Sequence, residues 1–110
     1  MVRADFRAPE KPIIYDSTAA CCAACGLIEI SNHVPEFEKK LYLSAAIHIL
    51  QAVDKNFCNY DKAVDYLVGY GTHKYPIDCG NKGVHIPIIY GDYFYVEALY
   101  KLKVKGLLFW

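Results

Sequence analysis

The clearest structural pattern in this 110-residue chain is the stretch Tyr90-Gly91-Asp92-Tyr93-Phe94-Tyr95-Val96-Glu97-Ala98-Leu99-Tyr100-Lys101-Leu102. Its side chains recur at helical spacing, and only Asp92, Glu97 and Lys101 interrupt a run of tyrosine, phenylalanine, valine and leucine. A surface helix carries one apolar stripe, whereas this stretch is apolar on nearly every side. The pattern therefore predicts a buried helix, which Pro87 or Asp92 could open.

Two further helices are predicted upstream. The first follows the capping cluster Asp16-Ser17-Thr18, and residues 19–28 are again apolar all round, with small side chains that let neighbouring helices approach closely. Gly26 within it costs helix propensity, which indicates a backbone contact there. The second starts at Pro35, runs to about Asn56 and is amphipathic, as an outer helix would be. The predicted order is buried helix, outer helix, buried helix.

The other segments are a lead-in and a long connection. Residues 1–15 are predicted to form an extended lead-in to a helical unit over residues 16–110. In the connection, Asp61 to Leu67 is a short helical candidate. Residues 69–87 form a glycine-containing irregular loop, and Val84 to Ile89 could be one short strand or only the run into the last helix.

Composition limits the classes of function. Hydrophobic residues make up 55% of the chain, so we expect either an unusually apolar core or a surface that meets another surface. Twelve basic and twelve acidic residues cancel, which argues against a nucleic-acid partner. The N-terminus lacks a signal-peptide core, the longest apolar run is too short for a membrane span, and five cysteines suit reduced thiols. A cytoplasmic protein with no membrane partner is predicted.

Two groups of residues allow both a chemical and a structural interpretation. Asp16 and Asp92 could form a catalytic pair, but each precedes a buried helix, and capping of the helix N-terminus is favoured for both. Cys21, Cys22 and Cys25 could suggest a metal site or a reactive thiol. Since a closed zinc site needs four ligands, small buried packing residues are favoured.

The loop before the last helix is the predicted binding site, because loops of nearly twenty residues are usually functional. Its charged side chains and histidines are His73, Lys74, Asp78, Lys82 and His85, and with Tyr70 and Tyr75 it offers cations and aromatic faces that could line a site for an anionic sugar or another small anion. His73, flanked by glycine, is the histidine most expected to touch a ligand, and Tyr75 and Tyr90 are candidates for stacking on a sugar ring. Tyr95 and Tyr100 are predicted to be core residues instead.

Two motifs occur in order on either side of this loop. They are Asp16-Ser17-Thr18-Ala19-Ala20 running into Ala24-Cys25-Gly26-Leu27-Ile28-Glu29, and Ile88-Ile89-Tyr90-Gly91-Asp92-Tyr93-Phe94-Tyr95-Val96-Glu97-Ala98-Leu99. Together they resemble the C-terminal part of the unsaturated glucuronyl hydrolases, glycoside hydrolase family 88, from about Ile14 onward. The resemblance implies an all-α fold whose helical hairpins form the last part of an (α/α)6 barrel. Such barrels alternate inner and outer helices, in agreement with the order predicted from the residues.

The resemblance also implies a function. In this family an aspartate hydrates the 4,5 double bond of an unsaturated uronic acid, the hemiketal collapses, and the sugar is released. The substrates are disaccharides left by lyases acting on chondroitin, hyaluronan or similar polymers, and no metal or organic cofactor is implied. The catalytic aspartates would lie upstream, so the chain is predicted to be inactive alone. Lys82 matches a lysine that some members use near a sulfated sugar, whereas Ile77 and Gly80 stand where hydroxyls are expected.

A quarter of a closed barrel leaves apolar flanks uncovered. We therefore expect self-association or a complementary upstream segment as a partner. The alternative function is a non-catalytic helical module that binds a partner protein through the same flank and recognises no sugar.

Overall fold

The computed structural model describes residues 2–5, 7, 11–73 and 83–104. Its regular structure in these residues consists of α1 (Ser17–Ser31), α2 (Glu36–Phe57) and α3 (Ile89–Val104). The β-structure in the same residues is limited to three isolated bridges, Arg3 with Tyr15, Cys58 with Val68, and Gly71 with Ile86. The all-α prediction is confirmed, and the possible strand over Val84 to Ile89 is reduced to a single bridge.

Helix α1 is the centre of the fold, since it packs against both α2 and α3. Its buried residues include Ala20, Cys21, Ala24 and Ile28, and their mostly small side chains allow both neighbours to come close. The core is completed by side chains from the other elements, namely Ala46, Leu50, Val53, Phe57, Val68, Tyr95 and Ala98.

Helix α2 is amphipathic, as predicted, and it ends one residue after the predicted limit. Acidic Glu36 and Glu38 occupy its first turn, where they complement the helix dipole. Only its C-terminal half is buried; near its start, Phe37 and Leu41 are exposed. The packing of α2 is therefore concentrated where α1 lies beside it.

Helix α3 begins at Ile89, between the two starting residues that the sequence suggested. Tyr95 and Ala98 are buried, which confirms Tyr95 as a core residue. Tyr100 is 51% exposed, so its assignment to the core was wrong. The reason is that α3, among the described residues, packs mainly against α1 and leaves another face of the helix uncovered. Its other face is bare in the described part of the chain, and the large exposed residues of the helix are Ile89, Tyr90, Tyr93, Val96, Leu99, Tyr100 and Leu102.

Two local predictions fail for physical reasons. The segment Asp61 to Leu67 forms turns rather than a helix, because the side chains of Asn59 and Asp61 accept hydrogen bonds from backbone N–H groups two residues further on. Gly26 makes no close backbone contact with described residues; a methyl group added there would meet no atom within 4 Å. Gly26 lies on an exposed face of α1.

The lead-in folds back on itself. The Ala4 N–H donates to the Ile14 carbonyl (2.9 Å), and the Asp16 N–H donates to the Val2 carbonyl (3.1 Å). Residues 2–4 thus pair antiparallel with residues 14–16 just before α1 begins. None of the helices in the described residues is long and apolar enough to cross a membrane.

Candidate functional site

The N-termini of α1 and α3 and the C-terminus of α2 lie at one end of the molecule. Thr18 and Gly91 are in contact there, since a methyl group added to Gly91 would lie 3.2 Å from Thr18 Oγ1. The end of α2 is joined to the following segment by a hydrogen bond from the Gly69 N–H to the Phe57 carbonyl (2.9 Å). We call this end, with residues 58–73 and 83–88, the loop end.

Several hydrogen bonds attach the loop end to the start of α1. Ser17 donates from its hydroxyl to the Gly69 carbonyl (2.6 Å) and from its N–H to the Tyr70 carbonyl (3.1 Å). The Thr72 hydroxyl donates to the Tyr15 carbonyl (2.7 Å). Buried polar groups without partners are costly, so this bonding holds residues 69–72 in one position against the helix.

Asp16 caps α1, as predicted. Its Oδ1 accepts hydrogen bonds from the N–H groups of Thr18 (3.1 Å) and Ala19 (3.3 Å). The same oxygen also accepts from the Thr72 N–H (3.3 Å), so the carboxylate ties the loop to the helix that it caps.

Asp92 has a different role from the predicted one. It lies in the first turn of α3, and its carboxylate accepts hydrogen bonds from the N–H groups of Leu67 (3.1 Å) and Val68 (2.7 Å). It therefore braces the loop end rather than its own helix, and the capping assignment was wrong. Asp16 and Asp92 both accept hydrogen bonds from backbone N–H groups. A structural role therefore accounts for both carboxylates, and no catalytic pair is needed to explain them.

The structure describes two of the four predicted ligand-binding residues. His73 is exposed, and its N–H donates to the Gly83 carbonyl (2.7 Å), so the residues on either side of segment 74–82 are bonded to each other. Tyr90 is exposed on the first turn of α3. Both residues lie at the loop end, although no described contact joins their side chains. Tyr75 and Lys82 lie outside the described residues.

Sequence reasoning missed an aromatic cluster at the loop end. It consists of Tyr15, Phe57, Tyr70 and His85, whose neighbouring ring centroids lie 4.9–6.2 Å apart. Tyr70 and His85 have left-handed backbones, with φ of 62° and 51°. The composition of the loop signals its aromatic and histidine content, but these four residues are each at least 13 residues apart along the chain.

A charged cluster between α1 and α3 was also not predicted. Lys101 Nζ lies 3.0 Å from Glu97 Oε1 and 3.9 Å from Glu29 Oε2, and the lysine side chain is only 10% exposed. Glu97 Oε2 is buried and has no hydrogen-bond partner among the described residues. The cluster links the two helices away from the loop end, two to three turns along α3.

The cysteines behave mainly as packing residues. Burial is the largest cause that raises the pKa of Cys21 to about 12 and that of Cys25 to about 11, which is the opposite of the shift that activates a nucleophilic thiol. Cys22 is exposed, so the prediction of three buried cysteines was wrong for this residue. Among the described residues, no group of three or more histidine, cysteine, aspartate or glutamate side chains could hold a metal ion.

Comparisons with known proteins were made by sequence and by structure. No protein-family model matches the chain. It is 33% identical over 98 residues to the unsaturated chondroitin disaccharide hydrolase of Streptococcus pyogenes serotype M1, a match that covers 86% of this chain and 24% of the relative. It is 30% identical over 103 residues to the unsaturated glucuronyl hydrolase of Bacillus sp. (strain GL1), covering 90% of this chain and 26% of that one. The chain thus spans about a quarter of the length of these curated relatives.

Solved structures show the same similarity. The crystal structure of the unsaturated glucuronyl hydrolase from Bacillus sp. GL1, described as responsible for degradation of glycosaminoglycan, matches 94% of this chain with a TM-score of 0.81 and 28% identity. The match covers 28% of that structure. The corresponding enzyme from Streptococcus agalactiae matches 92% of this chain with a TM-score of 0.79 and 27% identity, and 25% of its own length is covered. The three helices and the loop end together therefore reproduce about a quarter of these larger proteins.

Proposed function

Because the chain belongs by sequence and by fold to the unsaturated glucuronyl hydrolase family, we propose that it is one portion of an enzyme of glycosaminoglycan degradation. Such an enzyme releases unsaturated uronic acid from the disaccharides that lyases produce. The observation that carries the proposal is the match over 94% of this chain, at a TM-score of 0.81, to only 28% of a solved glucuronyl hydrolase. A fold shared over nearly the whole chain, in proteins with one named activity, supports that activity for the complete protein.

The proposed reaction is hydration of the 4,5 double bond of the uronic acid by an aspartate that acts as general acid and base. The hemiketal formed in this way collapses and releases the second sugar. We assign no catalytic residue to this chain, since the carboxylates of Asp16 and Asp92 are engaged by backbone N–H groups. The chain is therefore proposed to be inactive alone. Neither a metal nor an organic cofactor is part of this mechanism.

The substrate contacts that we propose are His73, Tyr75, Lys82 and Tyr90. The exposure of His73 and Tyr90 at the loop end supports their roles. Lys82 would supply a cation for the uronate carboxylate or for a sulfate.

We further propose that the bare face of α3 is covered in the working protein by the remainder of the barrel or by a second copy of the chain. The exposed apolar side chains of that face, such as Val96, Leu99 and Tyr100, support this. The balanced charge of the chain speaks against nucleic acid as the partner. We place the complete protein in the cytoplasm.

An absorbance assay tests the proposed function. The purified chain is mixed with an unsaturated chondroitin disaccharide, and loss of the ultraviolet absorbance of the double bond is followed. We expect no turnover by the chain alone. We expect turnover when it is combined with the Streptococcus pyogenes relative truncated by the quarter that this chain matches. The truncated relative alone is the control. Turnover by the chain alone, or no gain on mixing, would overturn the proposal.

The bare α3 face also favours the second candidate, a helical protein-interaction module without sugar recognition. The two functions differ in what His73 does. If the mixture is active and His73→Ala lowers its kcat/KM, the hydrolase function holds. If the mixture stays inactive while charged substitutions on α3 abolish binding of a protein partner, the module function replaces it.

A further inference from the structure

We propose that Tyr70 and His85 form a sugar-binding platform at the loop end, in which the exposed part of the Tyr70 ring contacts sugar C–H groups and His85 Nδ1–H donates to a sugar oxygen. The inference rests on the proposed function and names two further ligand-binding residues of the same site. Both residues belong to the aromatic cluster described above, and neither is among the four predicted contacts.

The hydrogen bonding of His85 determines its tautomer. Nε2 of the ring accepts a hydrogen bond from the Tyr15 N–H at 3.0 Å. An accepting nitrogen carries no proton, so the neutral ring is protonated on Nδ1. The partly buried ring is held between Tyr15 and Tyr70, with centroid distances of 6.2 Å and 4.9 Å. His85 is thus a fixed, uncharged donor whose Nδ1–H has no partner among the hydrogen bonds of the described residues.

The backbone conformation of Tyr70 and His85 indicates that their side chains have a functional role. A left-handed backbone is free of strain for glycine but is unfavourable for a residue with a bulky side chain. The chain has glycine on both sides of Tyr70, yet it places tyrosine at the position where φ is 62°. His85, at φ 51°, repeats this choice on the neighbouring segment. Glycine at either position would remove the strain.

Packing alone recovers little of this cost at Tyr70. Its ring lies 5.1 Å from Phe57, which is buried, but Tyr70 itself is 46% exposed. A residue selected only to seal the core would be covered more completely. Half-exposed aromatic rings beside a hydrogen-bond donor are instead suited to sugars, which present apolar C–H faces edged by hydroxyl groups. Tyr70 is also attached to α1, because its carbonyl accepts a hydrogen bond from the Ser17 N–H.

Glycine substitutions separate a ligand-binding role from a packing role. Tyr70→Gly and His85→Gly each remove a ring and relieve a strained backbone, so the folded chain is expected to survive. The 110-residue chain, labelled with nitrogen-15, is titrated with unsaturated chondroitin disaccharide and followed by NMR. The wild-type spectrum should show the Nδ1–H tautomer of His85, and the ligand should shift that ring and the amides of residues 69–72.

We expect each glycine variant to bind the disaccharide at least about fivefold more weakly than wild type. The midpoint of urea unfolding should stay equal or rise for Tyr70→Gly, and should fall for His85→Gly because the Tyr15 N–H loses its acceptor. His85→Asn tolerates the left-handed backbone and retains an acceptor, so it should match His85→Gly in binding if the ring matters. Tyr60→Ala, an exposed tyrosine of the same connection outside the cluster, is the control.

Unchanged affinity in Tyr70→Gly and His85→Gly, or a clear loss of stability with unchanged affinity, would show a packing role and overturn the platform. So would the absence of ligand-induced shifts in the wild-type chain. None of these results removes the proposed hydrolase function, which is decided by turnover in the combined absorbance assay. Failure of that assay together with a positive titration would leave a sugar-binding module.

Discussion

The loop end and the bare face of α3 differ in how far their side chains are paired or covered by the rest of the chain. At the loop end, the side chains of Asp16, Ser17, Thr72 and Asp92 form hydrogen bonds with backbone groups from distant parts of the sequence. Along α3, by contrast, seven large apolar or aromatic side chains are exposed. The loop end is thus held together by hydrogen bonds within the chain, whereas the α3 face exposes apolar side chains that we propose to be covered by a partner surface.

The difference has a physical origin. Hydrogen bonds at the loop end need only two or three backbone segments brought close together, and one helix pair with its connection can provide them. Burial of an apolar helix face needs a second surface of comparable area, and among the described residues α1 supplies most of the surface that α3 meets.

The substitution with the largest expected effect on the loop end is Asp92→Ala. The substitution leaves the N–H groups of Leu67 and Val68 without their acceptor, and we expect the free energy of unfolding to fall by about 2–4 kcal/mol. Urea unfolding followed by circular dichroism measures it. Asp65→Ala removes an exposed aspartate from the same segment and should change stability by less than about 0.5 kcal/mol. Equal effects of the two substitutions would contradict a bracing role for Asp92.

The bare face of α3 is tested by introducing charged side chains on it. Val96 and Leu99 are both exposed, and the double substitution Val96→Lys with Leu99→Lys places two ammonium groups on the bare face. We expect the wild-type chain to self-associate with rising concentration and the double variant to raise the dissociation constant at least about tenfold. Sedimentation velocity measures both. Phe37→Lys, at the most exposed apolar residue of α2, is the matched control. A wild-type chain that stays monomeric throughout would show that the α3 face does not pair with itself.

The smallest expected effect concerns Gly26. Alanine there meets open space in a helix interior, so Gly26→Ala should raise the free energy of unfolding by about 0.5–1 kcal/mol. Gly71→Ala is the contrasting variant, because its methyl group would lie 2.9 Å from Ile88 Cδ1 and 3.0 Å from the Ile86 carbonyl oxygen, and stability should fall. Thermal unfolding ranks the two. If Gly26→Ala stabilises the chain yet weakens its activity in combination with the truncated relative, the relative's part of the proposed barrel approaches α1 at this residue.

Much of the fold was predictable because helices are encoded by local pattern. The capping aspartate before Ser17 predicted α1, the proline at position 35 predicted α2, and the apolar periodicity of residues 93–102 predicted α3. Each prediction had only small errors at the helix ends. The site was less predictable. His73 and Tyr90 could be assigned to a loop region from their flanking residues, but the aromatic cluster could not, since His85 and Tyr15 are 70 residues apart.

The sequence by itself determined the three helices, their all-α class and the resemblance to the glucuronyl hydrolases, because side-chain periodicity, capping residues and motifs are properties of neighbours along the chain. Only the tertiary structure decided that Asp92 braces the loop instead of its own helix, that Tyr100 is exposed and that Tyr70 and His85 meet beside α1. These outcomes depend on which segments come together in space. A hydrogen-bond donor takes the acceptor that packing brings within reach, however far away it lies in sequence.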